Sequence, residues 1–277
     1  MKEEYKIIKE KLNLMFKNNI NNIQVNGLDN IPTNGTNIFV VNHNCFLDIY
    51  LIPHVLNIPC ISMVSSNSLF GINEERKKRL NELLYPYPIE TRANEYYKEI
   101  IFKGVVKLLK NKKNIIIFPQ GVFDEPNKIY KARTGIIRML FDTLDTEKDR
   151  YNIIPVALHV SNVNINNIQS SDLWDNFKAN ISILPPFVYN DYYNNYKKAV
   201  SIEDKKIILH NLMDDIMKII AYNLNFEYID KYRELYNMDG FWFPNGEYVE
   251  FDKSENELLY DKYSNMINSL VNRYIYK

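Results

Sequence analysis

The sequence predicts an α/β fold with a mostly parallel central sheet flanked by helices. Short apolar, β-branched runs alternate along the chain with segments whose apolar residues recur at helical spacing, the pattern of βαβ units. The runs are continuously apolar, as expected of strands that helices cover on both faces. The composition suits such a core, because 46% of the 277 residues are hydrophobic and 25% are charged.

The α/β pattern extends to residue 184, and a helical stripe precedes it. The predicted strands are 37–41, 60–64, 114–118, 152–158 and 180–184, and the predicted helices between them are 46–57, 73–84, 94–111 and 132–145. Ahead of the first strand, a helix over residues 3–18 would carry one apolar stripe, formed by Tyr5, Ile8, Leu12, Met15 and Phe16. Such a stripe either packs on a core or contacts a membrane, and the sequence leaves both open.

The pattern changes after Pro185-Pro186, which indicates a C-terminal extension. Helices fit residues 202–224 and 254–275, and a Pro-Asn-Gly turn between aromatic flanks predicts a hairpin within 239–251. We interpret its aromatic residues as scaffold, because such clusters usually bury themselves. The predicted organisation is an N-terminal amphipathic helix (1–20), an α/β core (21–190) and a helical extension with a hairpin (191–277).

Charge and cysteine content exclude several classes. Lys plus Arg and Asp plus Glu both number 34, so no bulk basic charge indicates a nucleic-acid partner, and we expect none. Two cysteines, Cys45 and Cys60, leave one disulfide open but form no disulfide framework, which favours a reducing cytoplasm. The acidic residues near the N-terminus argue against a signal peptide, and no window reaches the ~18 apolar residues of a membrane span.

A histidine and an aspartate follow the first predicted strand. Asn42-His43 end that strand, and Asp48 comes five residues after the histidine. On a straight helix two such side chains would lie ~140° apart, so they meet only if the chain turns from strand to helix between them. The pattern offers that turn, at the strand end where α/β proteins place their sites. An aspartate bonded to one imidazole nitrogen fixes the tautomer and leaves the other nitrogen as a base.

The residues alone leave other interpretations open. Asp48 would also serve as a helix N-cap, and Cys45 as a nucleophile, although no oxyanion signature accompanies that cysteine. We expect no metal site, since the remaining histidines lack ligand spacing. The chain contains no G-x-S-x-G elbow, Walker A loop or G-x-G-x-x-G motif.

A second stretch, IIIFPQGVFDEP at 115–126, ends another predicted strand. Gly121 permits an unusual backbone turn directly after Phe118-Pro119. Backbone N–H groups at such a turn suit an anion or an oxyanion.

Together the two stretches resemble the glycerolipid acyltransferase family, which includes lysophosphatidic acid acyltransferases. That family carries N-H-x4-D at a strand end, an arginine motif, F-P-E-G-T-R, and a strand with a central proline. The matching segments occur in the same order here: Asn42-His43-x4-Asp48, Pro88-Ile89-Glu90-Thr91-Arg92, Phe118-Pro119-Gln120-Gly121 and Ile154-Pro155-Val156. Arg133-Thr134-Gly135 stands where the family has a basic residue before a glycine.

The resemblance implies transfer of a fatty acyl group from a thioester, acyl-CoA or acyl-carrier protein, to the hydroxyl of a lysophospholipid or related acceptor. His43 would be the general base, and Asp48 would orient it and stabilise the imidazolium. The implied substrate-binding residues are Asn42, Arg92, Gln120, Gly121, Lys131 and Arg133. We expect no metal or bound cofactor. Because the substrates are amphiphiles, we expect peripheral contact with the inner face of the membrane from the cytoplasm, with the 3–18 helix as the candidate contact.

The chain departs from the family at the acceptor motif. Gln120, Val122 and Phe123 replace the family's Glu, Thr and Arg, and that arginine helps bind the acceptor's phosphate in the family. An acceptor without a terminal phosphate monoester is therefore expected, although Arg92, Lys131 and Arg133 could compensate. Two other classes stay open: a non-catalytic acyl-lipid-binding relative, and a thioester hydrolase that uses Cys45 or water.

Overall fold

A computed structural model of the chain describes residues 2–71, 73–90, 95–144, 151–163, 177–234, 240–243, 247–250 and 257–276. The strands are β1 (Ile23–Asn26), β2 (Thr36–Val41), β3 (Cys60–Ser65), β4 (Tyr85–Ile89), β5 (Asn114–Ile117), β6 (Lys128–Tyr130), β7 (Tyr151–Ser161), β8 (Lys178–Ile183), β9 (Glu227–Ile229), β10 (Gly240–Trp242) and β11 (Tyr248–Glu250). The helices are α1 (Lys2–Met15), α2 (Asp48–Val55), α3 (Ser66–Phe70), α4 (Glu74–Leu83), α5 (Glu95–Lys110), α6 (Gly135–Thr143), α7 (Asn190–Lys198), α8 (Ile202–Leu224) and α9 (Glu257–Tyr276).

The described strands form a central sheet in the order β1-β8-β7-β2-β5-β3-β4. All neighbours in it run parallel except β7 and β8, so the predicted mostly parallel α/β fold is confirmed. Strand β2 lies between β7 and β5, and all six of its residues are buried. Because β2 and β5 are parallel neighbours, their carboxyl ends meet at one edge of the sheet, and the two motif-bearing loops leave the sheet there.

The described central sheet contains two edge strands, β1 and β4, that the sequence does not predict. Strand β4 reads Tyr-Pro-Tyr-Pro-Ile, and a proline cannot donate to a ladder. Among the described strands β4 is an edge strand whose neighbour is β3, and the structure accommodates Pro86 and Pro88 there because alternate residues of a strand point their N–H groups the same way. Strand β1, at the opposite edge, has four residues and no apolar run.

Helix α1 packs on the core through its apolar stripe. Ile8, Leu12 and Phe16 are buried, and the Lys9 ammonium donates to the Leu56 carbonyl at 3.0 Å. The structure thus favours packing over membrane contact for this stripe. Leu14, 72% exposed, lies on the outer face instead. Among the helices in the described ranges, none has the length and apolar character needed to cross a membrane.

The C-terminal segment packs on the sheet and its helices. Helix α8 contacts β7, and α9 contacts α5. The predicted hairpin is confirmed as the antiparallel pair β10–β11, although its Pro-Asn-Gly turn (244–246) lies outside the described residues. Phe241 is fully buried with its ring centroid 5.0 Å from that of Tyr97, as the scaffold interpretation requires. The domain boundaries near residues 20 and 190 stay predictions.

The C-terminal segment also contributes a strand beside the second motif loop. Strand β9 pairs in parallel with β6, which follows that loop. This contact joins distant parts of the chain, with Lys128 opposite Glu227. Elsewhere in the fold, Cys45 and Cys60 are both buried and free, so the disulfide left open by the sequence is not formed.

Candidate active site

His43 and Asp48 are hydrogen-bonded at the carboxyl end of β2. The His43 Nδ1 atom lies 2.9 Å from Asp48 Oδ2, although five residues separate them. The chain leaves the strand at Val41, turns, and enters α2 at Asp48, which is the strand-to-helix turn that the spacing requires. The His43 side chain is 18% exposed, whereas that of Asp48 is fully buried. One imidazole edge therefore faces a buried acceptor while the ring keeps access to solvent.

Asp48 is held by the turn that precedes it. Its Oδ2 atom accepts from the backbone N–H groups of Asn44 at 2.6 Å and Cys45 at 2.9 Å, in addition to the imidazole. The carboxylate thus bonds residues before the helix rather than the N–H groups inside it, and the N-cap interpretation is wrong. Three N–H donors on one oxygen fix the carboxylate, so the imidazole has one orientation for this bond.

Asn42 ties the end of β2 to β7. Its Nδ2 donates to the Leu158 carbonyl at 2.8 Å, and its Oδ1 accepts from the Leu158 N–H at 2.8 Å. The side chain is fully buried. These contacts make Asn42 an anchor for the residue that follows it, and no observation supports the substrate contact predicted for it.

The loop after β5 lies against the same imidazole. The centroid of the Phe118 ring is 4.5 Å from that of His43, and the Phe123 ring is equally close at a steep angle. Gly121 adopts a positive φ of 76°, and its N–H bonds the Phe118 carbonyl at 3.1 Å, so the predicted glycine turn is present. His43 therefore contacts two aromatic rings of one loop, and Phe123 does so from the position where the family has an arginine.

The loop offers backbone donors as well. Within the described part of the chain, the N–H groups of Val122 and Phe123 have no hydrogen-bond acceptor. Both follow the Gly121 turn directly. Unpaired N–H groups beside a base are the feature that stabilises an oxyanion in acyl transfer.

Gln120 and Asp124 form a buried pair under this loop. Gln120 Nε2 lies 2.9 Å and 2.7 Å from the two carboxyl oxygens of Asp124, and the backbone N–H of Tyr130 donates to Asp124 Oδ1 at 3.1 Å. Burial raises the pKa of the Asp124 carboxyl from 3.8 to about 7, even though these hydrogen bonds lower it. The sequence argument missed Asp124, since an acid four residues past the motif glutamine is an ordinary loop residue until the loop is folded.

The three basic residues predicted to bind substrate have different surroundings in the structure. Lys131 is ion-paired with Asp214 at 3.1 Å and Asp230 at 2.5 Å, so its charge is already compensated. Arg133 bonds the Pro119 carbonyl through its backbone N–H at 2.9 Å, and its guanidinium lies over the Tyr232 ring. Arg92 lies outside the described residues. The substrate contacts of these three residues stay predictions.

A further arginine reaches the loop from the C-terminal segment. Arg233 donates to the Phe123 carbonyl and lies over the Tyr130 ring, 5.8 Å from its centroid. No sequence signal identified it, because 110 positions separate Arg233 from Phe123.

Cys45 is unsuited to act as a nucleophile in this arrangement. Its thiol is buried and lies 3.3 Å from Asp48 Oδ1. Burial, followed by the negative charge of Asp48, raises the pKa of this thiol far above its usual value. A thiolate would therefore form only at a high energetic cost.

Comparisons with known proteins find one family match and a similar solved structure. The family model described as Acyltransferase matches residues 22–159. Among solved structures, the chain is similar to the 1-acyl-sn-glycerophosphate (LPA) acyltransferase PlsC from Thermotoga maritima, with 18% identity, a TM-score of 0.45, and coverage of 79% of this chain and 78% of that one. No curated protein matches the sequence. The family match contains both motif loops and Leu158, the β7 residue that anchors Asn42. Residues 22–159 of the chain thus match the acyltransferase family.

Proposed function

We propose that this acyltransferase moves a fatty acyl group from a thioester, acyl-CoA or acyl-carrier protein, to the hydroxyl of a lysolipid. The observation that carries the proposal is the His43–Asp48 pair, which is fixed by backbone donors and lies against the loop of the second motif. The donor is a substrate, and the chemistry below needs no bound cofactor.

His43 acts as the general base. Because Nδ1 donates to Asp48, the proton-accepting atom is Nε2. Nε2 takes the proton of the acceptor hydroxyl while its oxygen attacks the thioester carbonyl carbon. The tetrahedral intermediate then collapses, the carbon–sulfur bond breaks, and the imidazolium returns the proton to the leaving thiolate. The products are an ester and a free thiol.

The other two parts of the site support the charges that develop in this reaction. Asp48 stabilises the positive imidazolium, since the ion pair is buried on the carboxylate side. The unpaired N–H groups of Val122 and Phe123 stabilise the negative carbonyl oxygen. Removal of one such donor typically costs ~10²–10³ in rate.

The side chain at position 123 does not bind a phosphate on the acceptor lysolipid. Phe123 presents a ring there, and Lys131 is held by two carboxylates. We therefore propose that neutral or zwitterionic lysolipids are preferred to lysophosphatidic acid. Arg133 is the described residue best placed to reverse this preference, because its backbone is bonded to the motif loop.

The enzyme meets these lipids at the inner face of the membrane, from the cytoplasm. Because the main stripe of α1 is buried, any contact by this helix uses its outer face, where Leu14 is exposed among lysines. The proposal of a membrane contact is thus supported by the amphiphilic character of the substrates and by the exposed outer face of α1.

The test is an acyl transfer assay with wild type, His43→Ala and the control His210→Ala. His210 lies on α8, where its Nδ1 is 3.2 Å from the Tyr232 hydroxyl. Free thiol is measured with palmitoyl-CoA or palmitoyl-carrier protein, and the lipid product by mass spectrometry. We expect His43→Ala to lose at least ~10² in rate and the control to lose little.

The same assay separates the alternatives. Thiol release without an acylated lipid would identify a thioester hydrolase. Lipid binding without thiol release from either donor would identify a non-catalytic binder. Wild-type turnover in His43→Ala would contradict the base mechanism.

A further inference from the structure

The loop after β5 is closed by an amide–carboxyl pair. Gln120 is 3% exposed and Asp124 8%, and the Gln120 Nε2 atom contacts both carboxyl oxygens. These residues stand on either side of Gly121, Val122 and Phe123. The pair therefore joins the two ends of the segment whose N–H groups and ring lie beside the base.

The other contacts of Asp124 lead to His43. The Asp124 N–H donates to the His43 carbonyl at 2.5 Å. The carboxyl accepts a further bond from the Tyr130 N–H at the end of β6. One residue thus connects the motif loop, β6 and the peptide unit that carries the base.

We propose that Asp124 is a positioning residue for acyl transfer: its carboxylate, bonded to Gln120, holds the 118–124 loop against the backbone of His43. This inference rests on the function proposed above and adds a residue that lies outside the recognised motifs. Asp124 acts through His43 and the loop N–H groups and does not touch the reacting atoms.

The pair also accounts for the glutamine at the motif position. A glutamate at position 120 would place two buried carboxylates 2.7–2.9 Å apart, where like charges cannot both remain ionised. Because position 124 carries a carboxylate, position 120 needs a hydrogen-bond donor, and glutamine is the donor that has the shape of glutamate. The side chains at positions 120 and 124 are therefore one coupled pair.

The arrangement carries costs that a purely structural loop would avoid. The Gln120 Oε1 atom is buried and has no partner among the described residues, because the amide turns its nitrogen towards Asp124. Burial and the negative charge of Asp48 both raise the pKa of the Asp124 carboxyl. Costs of this kind are typical of functional sites, where a charge is kept for its effect on the chemistry.

The test compares wild type with Asp124→Asn, Gln120→Glu and the exchanged pair Gln120→Glu/Asp124→Asn. In Asp124→Asn an amide flip of Gln120 keeps a hydrogen bond between the two side chains, but this bond is neutral and holds the loop more weakly than the bond to the carboxylate. In Gln120→Glu two carboxylates face each other. In the exchanged pair the carboxylate moves to position 120 and the amide to position 124, so the number of charges and the amide–carboxylate bond are both kept.

We measure kcat and the KM for palmitoyl-CoA at pH 8, together with the melting temperature of each variant. Each single variant should lose about tenfold in kcat, with little change in KM. The exchanged pair should recover most of that loss, because coupled residues give non-additive effects. Asp124→Asn should melt no lower than wild type, since it removes a buried charge.

Wild-type kcat in Asp124→Asn would overturn the inference. An exchanged pair no more active than the weaker single variant would overturn it too, as would a melting temperature that falls in parallel with kcat in Asp124→Asn. Failure of the proposed function looks different, because wild type itself would then release no thiol or form no lipid product.

Discussion

Replacement of Asp48 with asparagine removes one negative charge from a buried site and keeps the shape of the side chain. Asp48 Oδ2 accepts three N–H donors, two of them from the backbone of Asn44 and Cys45. An asparagine must place its oxygen at this point, because an NH₂ group there would face three donors. The Nδ1–H tautomer of His43 is therefore preserved, and the substitution tests the charge alone.

The expected loss follows from that single change. A hydrogen bond to a charged group contributes ~1.5–3 kcal/mol and a neutral one ~0.5–1.5 kcal/mol. The imidazolium formed in the transition state thus loses roughly 1–2 kcal/mol of stabilisation, about 5–30-fold in kcat. Removal of the base in His43→Ala should cost ~10²–10⁴. A reversed tautomer in a His–Asp pair costs ~10⁴, so a preserved tautomer is separable from both larger losses.

The assay measures thiol release by wild type, Asp48→Asn and His43→Ala at saturating palmitoyl-CoA and lysolipid. Melting curves of the three proteins verify that each is folded. Asp48→Asn should fall between the other two. Activity as low as that of His43→Ala would refute the argument that the backbone N–H groups orient the amide. Activity equal to wild type would show that the buried charge plays no part in the reaction.

Three further outcomes are expected. Cys45→Ser should retain acyl transfer, and an acylated Cys45 peptide in the mass spectrum of the reaction would contradict this. Leu12→Ala should lower the free energy of unfolding by ~2–5 kcal/mol in a urea titration, whereas Leu14→Ser should change it by no more than ~0.5 kcal/mol. Leu14→Ser should instead weaken sedimentation of the protein with anionic vesicles, and unchanged sedimentation would remove α1 from the membrane proposal. The folded Asp124 carboxyl has its pKa raised from 3.8 to about 7, so the folded state holds a proton that the unfolded chain has lost. Titration of Asp124 therefore lowers the free energy of unfolding as pH rises from about 4 to about 7. The melting temperature of Asp124→Asn should lack this fall with pH, and an equal fall in wild type and variant would contradict the argument.

The sheet and the His–Asp contact could be predicted because both depend on short-range patterns. Strand β2 ends in the continuous apolar run 38–41, and residues 43 and 48 can meet only through a turn from this strand into α2. Strand β4 was not predicted because its alternating prolines are tolerated only at a sheet edge, and edge position is a property of the whole sheet.

The rest of the site depends on contacts between distant parts of the chain. The resemblance implies substrate binding by Lys131, which stays a prediction, and the sequence could not show that the fold brings Asp214 and Asp230, 83 and 99 positions away, against its ammonium. The role of Asp124 depends on which backbone its loop meets, and a linear sequence does not contain that information. Motif spacing thus locates the base, whereas the groups that hold it are assigned by packing.

The C-terminal segment belongs to the site by the same reasoning. Strand β9 pairs with β6, and Arg233 holds the Phe123 carbonyl. Asp124 bonds the His43 carbonyl through its N–H, and Arg233, which follows β9, bonds the Phe123 carbonyl. A loop restrained at both ends keeps its N–H groups and ring in one arrangement without rearrangement during the reaction, which is the condition for electrostatic stabilisation of a transition state. The C-terminal extension therefore supplies contacts to the motif loop and to β6 that the core alone does not make.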